Sequence, residues 1–555
     1  MSSHRSASVA LAVALSLAVS VPVTVGVSGA GGAVSAVTRT TKPTTTRTKP
    51  RTTRTTKRPV IRRTARPTTT SAGITGVVPV AVASPAEPAA SAVAAIPVVP
   101  VTTVAPLLAV SATFVPDPIV WTACAAYECA KVRVPRDYDL TDLSAGLVTL
   151  QVIRNRTTSA DRIGALFVYP GGPGGSSVTL VQSIARRVSP EIARRFDIVG
   201  IDTRGLPRST PFRCGNTNDL SSNREARARY TASCKANAPE EIATTDSETN
   251  ARDMDMVRAA MGDPSISFLG YSYGGQLGRA YSVLFPERVR AMILDSPTDP
   301  GTDPQQRIID QFEARESTLA SFLQYCAARP ACAFNDGSDL LIRYNALAAQ
   351  IASVPIAGPT YTLDRGLLEL LVDDQLRSDG QWPALGSMLR DLFNTGSLTR
   401  VTSLVSTRNL GSSDANARDN ALAVYLSTVC HDGFMPRTQA QLDELALRIP
   451  VVAPHFVTRV DNLTAGGTCV NWPVGARVPR PAPLSPTGPT LIISTVWDLT
   501  TPHEWGQQLA QAIGAFIIPV DRTGHGVFPG LSCVDTLATR FLVDLTPPAL
   551  GTRCA

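Results

Sequence analysis

Residues 266–275 read ISFLGYSYGG, and this stretch decides the fold. Its first four residues are mostly β-branched, aliphatic or aromatic, as is typical of a short buried strand, and residues 276–285 after it alternate with helical periodicity. Between strand and helix lies the pattern G-x-S-x-G centred on Ser272. Small residues there allow strand and helix to approach closely, so the pattern predicts a sharp turn that presents the Ser272 hydroxyl as a nucleophile. A glycine-rich turn without a chemical role is the alternative that this setting disfavours.

Further apolar runs of the same kind lie on both sides of this turn. Continuous apolar runs are typical of parallel strands that are covered on both faces. Helical periodicity in the segments between them gives the order β, α, β, α, which predicts a doubly wound, mostly parallel sheet with right-handed crossovers. The predicted strands, besides residues 266–269, are residues 163–169, 196–201, 289–294, 491–496 and 515–520.

The middle of the chain breaks this alternation and is mainly helical in pattern. We therefore assign residues 119–300 to the first part of an α/β core and residues 487–555 to its second part. Residues 301–486 are predicted to be a mainly helical insertion that follows the strand at residues 289–294.

The amino-terminal segment, residues 1–36, has the pattern of an export signal peptide. His4 and Arg5 precede an apolar run at residues 9–27, and the sequence AVSA at residues 33–36 fits a cleavage site. An uncleaved membrane anchor is the alternative, because the run is nearly long enough to span a bilayer. Pro22 and the small polar residues disfavour it, so we expect no stable membrane span after processing.

Residues 37–118 are predicted to be a disordered linker, first basic and rich in Thr and Pro, then rich in Ala, Val and Pro. Neither part has the periodicity that would bury an apolar face. The basic part fits a solvated tether best. Attachment to an anionic polymer of the cell envelope is the second interpretation.

The charge distribution argues against a nucleic-acid-binding protein. The chain has 52 Lys and Arg residues against 45 Asp and Glu residues, but residues 1–86 hold 12 of the basic residues and no acidic one. The remainder has 40 basic and 45 acidic residues. A basic tail on a mildly acidic globule lacks the pervasive positive surface that duplex binding requires.

Ten cysteines, all beyond residue 120, indicate disulfide bonds. Their number is even, none has zinc-site spacing, and an export signal places the protein in an oxidising compartment. The alternative is ten reduced, buried thiols. Sequence does not fix the connectivity, and the most economical pairing joins sequential neighbours: 124–129, 214–234, 326–332, 430–469 and 533–554. We expect no metal and no organic cofactor.

A serine nucleophile needs a histidine base that a carboxylate orients. The hydrolase order is serine, acid, histidine, and Asp498 and His525 follow the last two predicted strands, where the carboxyl ends of parallel strands meet at one edge. We therefore select Asp498 and His525. Asp521 is an alternative acid, and His503 and His431 are weaker alternatives for the base.

An oxyanion hole is predicted from the sequence YPGGPGGS at residues 169–176, directly after the strand at residues 163–169. Such a glycine run lets main-chain N–H groups turn towards a substrate, and we select the N–H groups of Gly172 and Tyr273. No G-K-S/T follows, which excludes a phosphate-binding loop. A tight connection without a catalytic role is the alternative.

These motifs together resemble the secreted α/β-hydrolases of the proline-iminopeptidase and tripeptidyl-aminopeptidase group. The resemblance covers about residues 120–555, including Cys469 with Trp472-Pro473. Two positions depart from the group's pattern: Leu206-Pro207 stand where a glycine is usual, and Trp497 precedes the acid. The matching segments are GGPGGSS at 171–177, Asp202-Thr203-Arg204-Gly205 with Ser209, GYSYGGQLG at 270–278 with Tyr281 and Phe285-Pro286, Leu294-Asp295, Asp498 with Thr501-Pro502, and Gly524-His525-Gly526.

This resemblance implies an α/β-hydrolase fold with a helical cap, and a secreted or envelope-associated serine exopeptidase that acts on free amino termini of peptides. Such an enzyme must hold an α-ammonium group, which calls for a carboxylate. Asp432 is our first candidate and Asp299 the second; each has a solvated surface acid as its alternative. A secreted carboxylesterase or lipase with the same triad, and an envelope-binding protein with a degenerate hydrolase domain, remain as alternative functions.

Overall fold

The computed structural model describes residues 114–140, 142–215, 224–299, 301–407, 415–459, 464–477 and 488–555. All of them belong to one compact unit. The predicted signal peptide and residues 37–113 of the predicted linker lie outside the described residues.

The centre of the protein is a nine-stranded sheet with the order β1-β2-β3-β5-β4-β6-β7-β10-β11. The strands β8 and β9 form a separate two-stranded hairpin. The described strands are β1 (Thr122–Cys124), β2 (Tyr127–Pro135), β3 (Leu147–Asn155), β4 (Gly164–Tyr169), β5 (Phe196–Asp202), β6 (Ile266–Tyr271), β7 (Val289–Asp295), β8 (Ile356–Ala357), β9 (Thr362–Leu363), β10 (Thr490–Trp497) and β11 (Phe516–Thr523).

The sheet is parallel from β5 to β11 and antiparallel at the β1 edge. Within the parallel part, Phe268 of β6 lies opposite Phe167 of β4 and Met292 of β7. All six strands predicted from apolar runs are present. The antiparallel strands β1, β2 and β3 were missed, although β2 alternates buried Val132 and Val134 with exposed Lys131 and Arg133, the period-2 pattern of a half-buried strand.

Helices cover the sheet and fill the chain between β7 and β10. Three short 3₁₀ turns, Pro286–Arg288, Asp379–Gln381 and Val457–Arg459, accompany them. The described helices are α1 (Ser177–Ile184), α2 (Pro190–Arg195), α3 (Arg224–Asn237), α4 (Pro239–Ala243), α5 (Ser247–Met261), α6 (Gly274–Leu284), α7 (Pro304–Ala327), α8 (Leu340–Ser353), α9 (Arg365–Leu376), α10 (Trp382–Thr395), α11 (Thr399–Thr407), α12 (Ala415–His431), α13 (Gln439–Val452), α14 (Thr464–Cys469), α15 (His503–Ile513) and α16 (Ser532–Asp544).

Two apolar cores lie on opposite faces of the sheet, as a doubly wound fold requires. On one face, Phe268 of β6 packs in a cluster with Leu277 of α6 and Leu509 of α15. On the other face, Leu269 packs with residues of α1 and with Phe541 of α16. Because consecutive residues of β6 are buried on both faces, the strand is apolar throughout rather than alternating.

The chain between β7 and β10 forms a helical insertion with a core of its own, centred on Phe322, Tyr344 and Leu389. A further cluster joins α12 to the α/β core and includes Tyr273, the residue after the predicted nucleophile. No helix in the described ranges is long and apolar enough to cross a membrane. That the insertion covers the substrate as a cap remains a prediction.

Five disulfides join the sequential neighbours, as the most economical pairing predicts. The Cys214–Cys234 bond spans 20 residues and is completely buried beside Tyr273. The Cys124–Cys129 bond spans only five residues at the sheet edge.

These two loops differ in the chain entropy that their closure removes from the unfolded state. Replacing Cys214 and Cys234 together by Ala should cost about 3 kcal/mol of unfolding free energy, against about 2 kcal/mol for Cys124 and Cys129. Urea denaturation of both double variants measures this difference. An equal or larger loss in the Cys124/Cys129 variant would contradict the loop-length argument.

Candidate active site

Ser272 occupies a sharp turn between β6 and α6, and its φ of +54° lies in the left-handed region. Non-glycine residues adopt this conformation at a cost and keep it where surrounding contacts enforce it. The Ser272 N–H donates to the Asp295 carbonyl at 3.0 Å, and the Ser272 carbonyl accepts from Gly275 at 2.9 Å. A Cβ atom at Gly270 would lie 2.8 Å from the Gly274 carbonyl oxygen, so the close approach of strand to helix requires glycine there.

Asp498 and His525 form a hydrogen-bonded pair at the carboxyl ends of β10 and β11. His525 Nδ1 lies 2.8 Å from Asp498 Oδ2, and the other carboxylate oxygen accepts the main-chain N–H groups of Thr500 and Thr501. Burial favours the neutral acid, but the imidazole and these N–H groups outweigh it and hold the pKa of Asp498 below its ordinary value. The carboxylate is therefore anionic and fixes the histidine through Nδ1.

Thr501 is a member of this network that sequence reasoning did not assign to the site. Its Oγ1 lies 3.0 Å from Asp498 Oδ2, 3.2 Å from His525 Nδ1 and 2.9 Å from the Ser296 carbonyl oxygen. The hydroxyl thus links the acid to the turn after β7. Its position three residues after Asp498, in the Thr501-Pro502 motif, is the signal that could have identified it.

The second ring nitrogen of His525, Nε2, is buried and has no hydrogen-bond partner among the described residues. The Ser272 hydroxyl donates no hydrogen bond to it in this conformation. The two loops nevertheless meet at the turn after β7, because Gly526 N–H donates to Ser296 Oγ at 3.0 Å and Asp295 accepts from Ser272. Catalytic hydrogen bonds of this kind are commonly long before substrate binds, so a buried, unpartnered nitrogen on this edge fits a base.

The glycine loop after β4 approaches the Ser272 turn closely. A Cβ atom at Gly171 would lie 3.0 Å from the Ser272 Cβ and 3.1 Å from the Tyr273 nitrogen. Gly171 and Gly172 both have positive φ, +83° and +114°, which glycine adopts without strain. This contact brings the predicted oxyanion-hole loop, which contains Gly172, next to the N–H of Tyr273.

Asp432, at the end of α12, lies beside the turn through its contact with Tyr273. It accepts the Tyr273 hydroxyl at 2.6 Å and the Ser247 main-chain N–H at 3.0 Å. Burial, together with the charge of Asp246, raises the pKa of Asp432 to about 7. Phe434 packs edge-to-face on the Tyr273 ring at 5.1 Å, so the insertion contacts the residue that supplies one predicted oxyanion donor.

Asp299, the second candidate for ammonium binding, has local partners. Its carboxylate accepts the Gly301 N–H and the Thr302 hydroxyl, both at 2.8 Å. Its carbonyl accepts from the buried guanidinium of Arg307 at 3.0 Å. These contacts shape the turn that leads into α7.

The alternative acid, Asp521, and the alternative bases, His503 and His431, have other partners in the structure. Asp521 forms an ion pair with Arg553, and Asp498 rather than Asp521 is bonded to His525. His503 Nδ1 bonds Ser494 Oγ at 2.8 Å, and His431 lies 3.4 Å from Asp246. Of the four histidines that the structure describes, His525 is the one paired with the carboxylate at the end of β10.

A cleft of about 360 Å³ lies beside the acid, between α7 and the start of α15. Its lining includes Glu313, Trp497, Asp498 and Glu504. Trp497, which departs from the group's pattern, is 41% exposed. In the described part of the chain, no group of three or more His, Cys, Asp or Glu side chains is placed to hold a metal ion.

Comparison with known proteins agrees with this architecture. A family profile for the alpha/beta hydrolase fold matches residues 164–528, more than half of the chain. Three curated relatives match most of it. Serine protease Hip1 of Mycobacterium tuberculosis H37Rv is 30% identical over 480 aligned residues, which cover 79% of this chain and 91% of that protein.

Carboxylesterase B of the same strain is 32% identical over 457 aligned residues and covers 77% of this chain and 86% of its own length. Tripeptidyl aminopeptidase of Streptomyces lividans is 28% identical over 477 aligned residues, with 79% and 86% covered. The fold, the Ser272 turn and these similarities lead to one conclusion: the chain belongs to the alpha/beta hydrolase family and is a serine hydrolase.

Proposed function

We propose that this enzyme is a serine exopeptidase that releases single residues or short peptides from free amino termini, with Ser272, His525 and Asp498 as its catalytic triad. The observation that carries the proposal is the Asp498–His525 pair, whose second ring nitrogen is buried and unpartnered on the edge where Ser272 is held in a strained turn. The names of two relatives, a serine protease and a tripeptidyl aminopeptidase, support a peptide substrate.

The role of each atom in the proposed reaction follows from the hydrogen bond at His525 Nδ1, which leaves Nε2 as the nitrogen that can accept a proton. The Ser272 hydroxyl oxygen attacks the peptide carbonyl carbon while His525 Nε2 takes its proton. Asp498, which bonds Nδ1, stabilises the imidazolium that forms. The imidazolium then gives its proton to the leaving amine, the C–N bond breaks, and an acyl ester on Ser272 remains. Water, activated by the same imidazole, hydrolyses that ester.

The tetrahedral oxygen needs donors that are already oriented. We assign this role to the main-chain N–H groups of Gly172 and Tyr273, because the glycine loop contacts the Ser272 turn. The Tyr273 side chain is anchored at its hydroxyl by Asp432. This anchor supports a fixed orientation of the Tyr273 N–H.

Asp432 remains our first candidate for binding the substrate ammonium group, because it is the carboxylate that contacts Tyr273 from the insertion. Its position connects recognition of the amino terminus with the residue next to the nucleophile. Asp299 remains the second candidate; its carboxylate accepts the Gly301 N–H and the Thr302 hydroxyl and has no described contact with Tyr273.

The proposed location is outside the cytoplasm, either secreted or attached to the cell envelope. Five disulfides among ten cysteines support an oxidising compartment. The signal pattern at residues 1–36 and the basic linker support export and contact with an anionic envelope polymer.

Ester hydrolysis is the second candidate function, and the similarity to Carboxylesterase B favours it. The turn and the triad do not separate an amide from an ester substrate. Recognition of a free ammonium group on the substrate would separate a peptidase from an esterase.

Blocking the substrate's amino terminus tests the exopeptidase proposal directly. An acetyl cap removes the charge that a carboxylate must bind, so kcat/KM for a tripeptide anilide should fall by about 100-fold or more on capping. Short-chain esters without an amino group serve as the comparison substrates. Equal turnover of free and capped peptides, or turnover of esters alone, would favour the esterase.

The pH dependence of KM tests Asp432. With its pKa raised to about 7, the carboxyl is anionic above pH 7 and becomes neutral as the pH falls through that value, so it loses its attraction for an ammonium group. KM for the free peptide should therefore rise by about 4-fold between pH 8 and pH 6, because loss of the carboxylate charge is partly offset by protonation of the substrate's own amino group over the same range. Asp432→Asn should have a high KM that does not rise as the pH falls over this range.

Asp419→Asn is the matched control, because Asp419 is buried on α12, the helix that ends just before Asp432, and also accepts a tyrosine hydroxyl and a main-chain N–H, those of Tyr230 and Gly215. It should keep the wild-type dependence of KM on pH. An unchanged dependence in Asp432→Asn would exclude Asp432 as the ammonium ligand.

A further inference from the structure

The dipeptide Asp295-Ser296 at the end of β7 has no role in the proposed triad, although both residues are buried. Ser296 has a φ of +51°, a left-handed conformation that is costly for a residue other than glycine. Its N–H donates to the Ile493 carbonyl of β10 at 2.8 Å. A strained residue that is held this firmly at the carboxyl edge of the sheet calls for a functional reason.

The dipeptide first contacts the nucleophile turn. The Asp295 carbonyl accepts the N–H of Ser272 at 3.0 Å, and the chain after the dipeptide returns to the same residue, since Thr298 N–H donates to the Ser272 carbonyl at 3.1 Å. Both main-chain polar groups of Ser272 are thereby fixed from the β7 side.

The dipeptide also contacts the loop after β10, which contains Asp498 and Thr501. Thr501 Oγ1 lies 2.9 Å from the Ser296 carbonyl oxygen and 3.0 Å from Asp498 Oδ2. A single hydroxyl therefore lies between the acid that orients the histidine and the dipeptide.

The loop that follows His525, residues 526–528, makes three hydrogen bonds with the dipeptide. Ser296 Oγ accepts the Gly526 N–H at 3.0 Å. Asp295 Oδ2 accepts the N–H groups of Val527 and Phe528, each at 2.8 Å. Three successive main-chain N–H groups directly after His525 therefore end on these two side chains.

We propose that Asp295 and Ser296 are positioning residues. They hold the Ser272 turn, the loop of Asp498 and Thr501, and the loop that follows His525 in fixed relative positions, so that His525 Nε2 reaches the Ser272 hydroxyl when substrate binds. This inference rests on the proposed triad. Hydrogen bonds with all three loops meet at this dipeptide.

The charge of Asp295 adds a second effect to its geometry. Burial raises the pKa of Asp295 to about 6, and the main-chain N–H groups of Phe528 and Val527 moderate that rise. The carboxylate is thus anionic at pH 8. The charged or titratable groups around it are His525, Asp498 and Tyr271, and its anion favours the imidazolium that forms during the reaction.

The experiment compares Asp295→Asn and Ser296→Ala with wild type in the full-length protein. Asparagine keeps an acceptor oxygen but loses the charge, and alanine loses the acceptor for Gly526. We expect kcat to fall by about 10-fold to 100-fold in Asp295→Asn, because small misplacements of reacting groups cost up to about 100-fold. For Ser296→Ala we expect a fall of about 3-fold to 30-fold, with KM within about 2-fold of wild type in both.

Two further readouts separate positioning from a structural role. The rate at which a fluorophosphonate labels Ser272 should fall by the same factor as kcat. The acid limb of the kcat profile in Asp295→Asn should move to lower pH by about half a unit or more, because an imidazolium that loses a neighbouring anion gives up its proton more easily.

Asp197→Asn is the control, since Asp197 is buried at the amino end of β5, away from the Ser272 turn, and also accepts a main-chain N–H, that of Thr157, besides its ion pair with Arg162. It should change Tm while labelling rate and acid limb stay at wild-type values. The inference is overturned if Asp295→Asn and Ser296→Ala change only Tm, as this control does. Wild-type protein that takes no label and cleaves neither peptide nor ester would instead refute the proposed function itself.

Discussion

The left-handed backbone at Ser272 is the constraint on which the rest of the site depends. Such a conformation costs on the order of 1–3 kcal/mol for a residue other than glycine, and here hydrogen bonds from Asp295, Gly275 and Thr298 hold it. The turn places the hydroxyl at the carboxyl edge of β6, with the glycine loop after β4 in contact on one side. The sheet, covered on both faces, supplies the rigid support that this strain requires.

Charge compensation determines the protonation state of Asp498 in this site. Asp498 stays anionic in a buried position because the imidazole and two main-chain N–H groups compensate its burial. This leaves Nε2 of His525 as the ring nitrogen without a partner. The insertion reaches the same region through Asp432 and Phe434, which both contact Tyr273, the residue after Ser272.

Local patterns were sufficient to predict most of the fold and to select Asp498 and His525, which the structure joins by a hydrogen bond. The six parallel strands follow from their continuous apolar runs, and the Ser272 turn follows from glycines that permit close packing. Asp498 and His525 could be selected because parallel strands end at one edge. The antiparallel strands β1 to β3 were missed, since their short alternating pattern is weaker than a fully buried run, although Val132 and Val134 carried the signal.

The contacts of Asp295 and Ser296 could not be predicted, because both side chains accept main-chain N–H groups more than 200 positions away along the chain. Main-chain partners leave no trace in residue identity. Asp299 was selected for its residue type, and the local partners of its carboxylate, the Gly301 N–H and the Thr302 hydroxyl, could likewise not be read from that type.

Identification of the serine that reacts covalently decides whether Ser272 is the nucleophile. The full-length enzyme is incubated with a fluorophosphonate, digested and mapped by mass spectrometry, alongside Ser272→Ala and His525→Ala. We expect a single adduct on Ser272, none in folded Ser272→Ala, and labelling slowed by about 1,000-fold or more in His525→Ala. An adduct on another serine, or undiminished labelling without His525, would contradict this assignment.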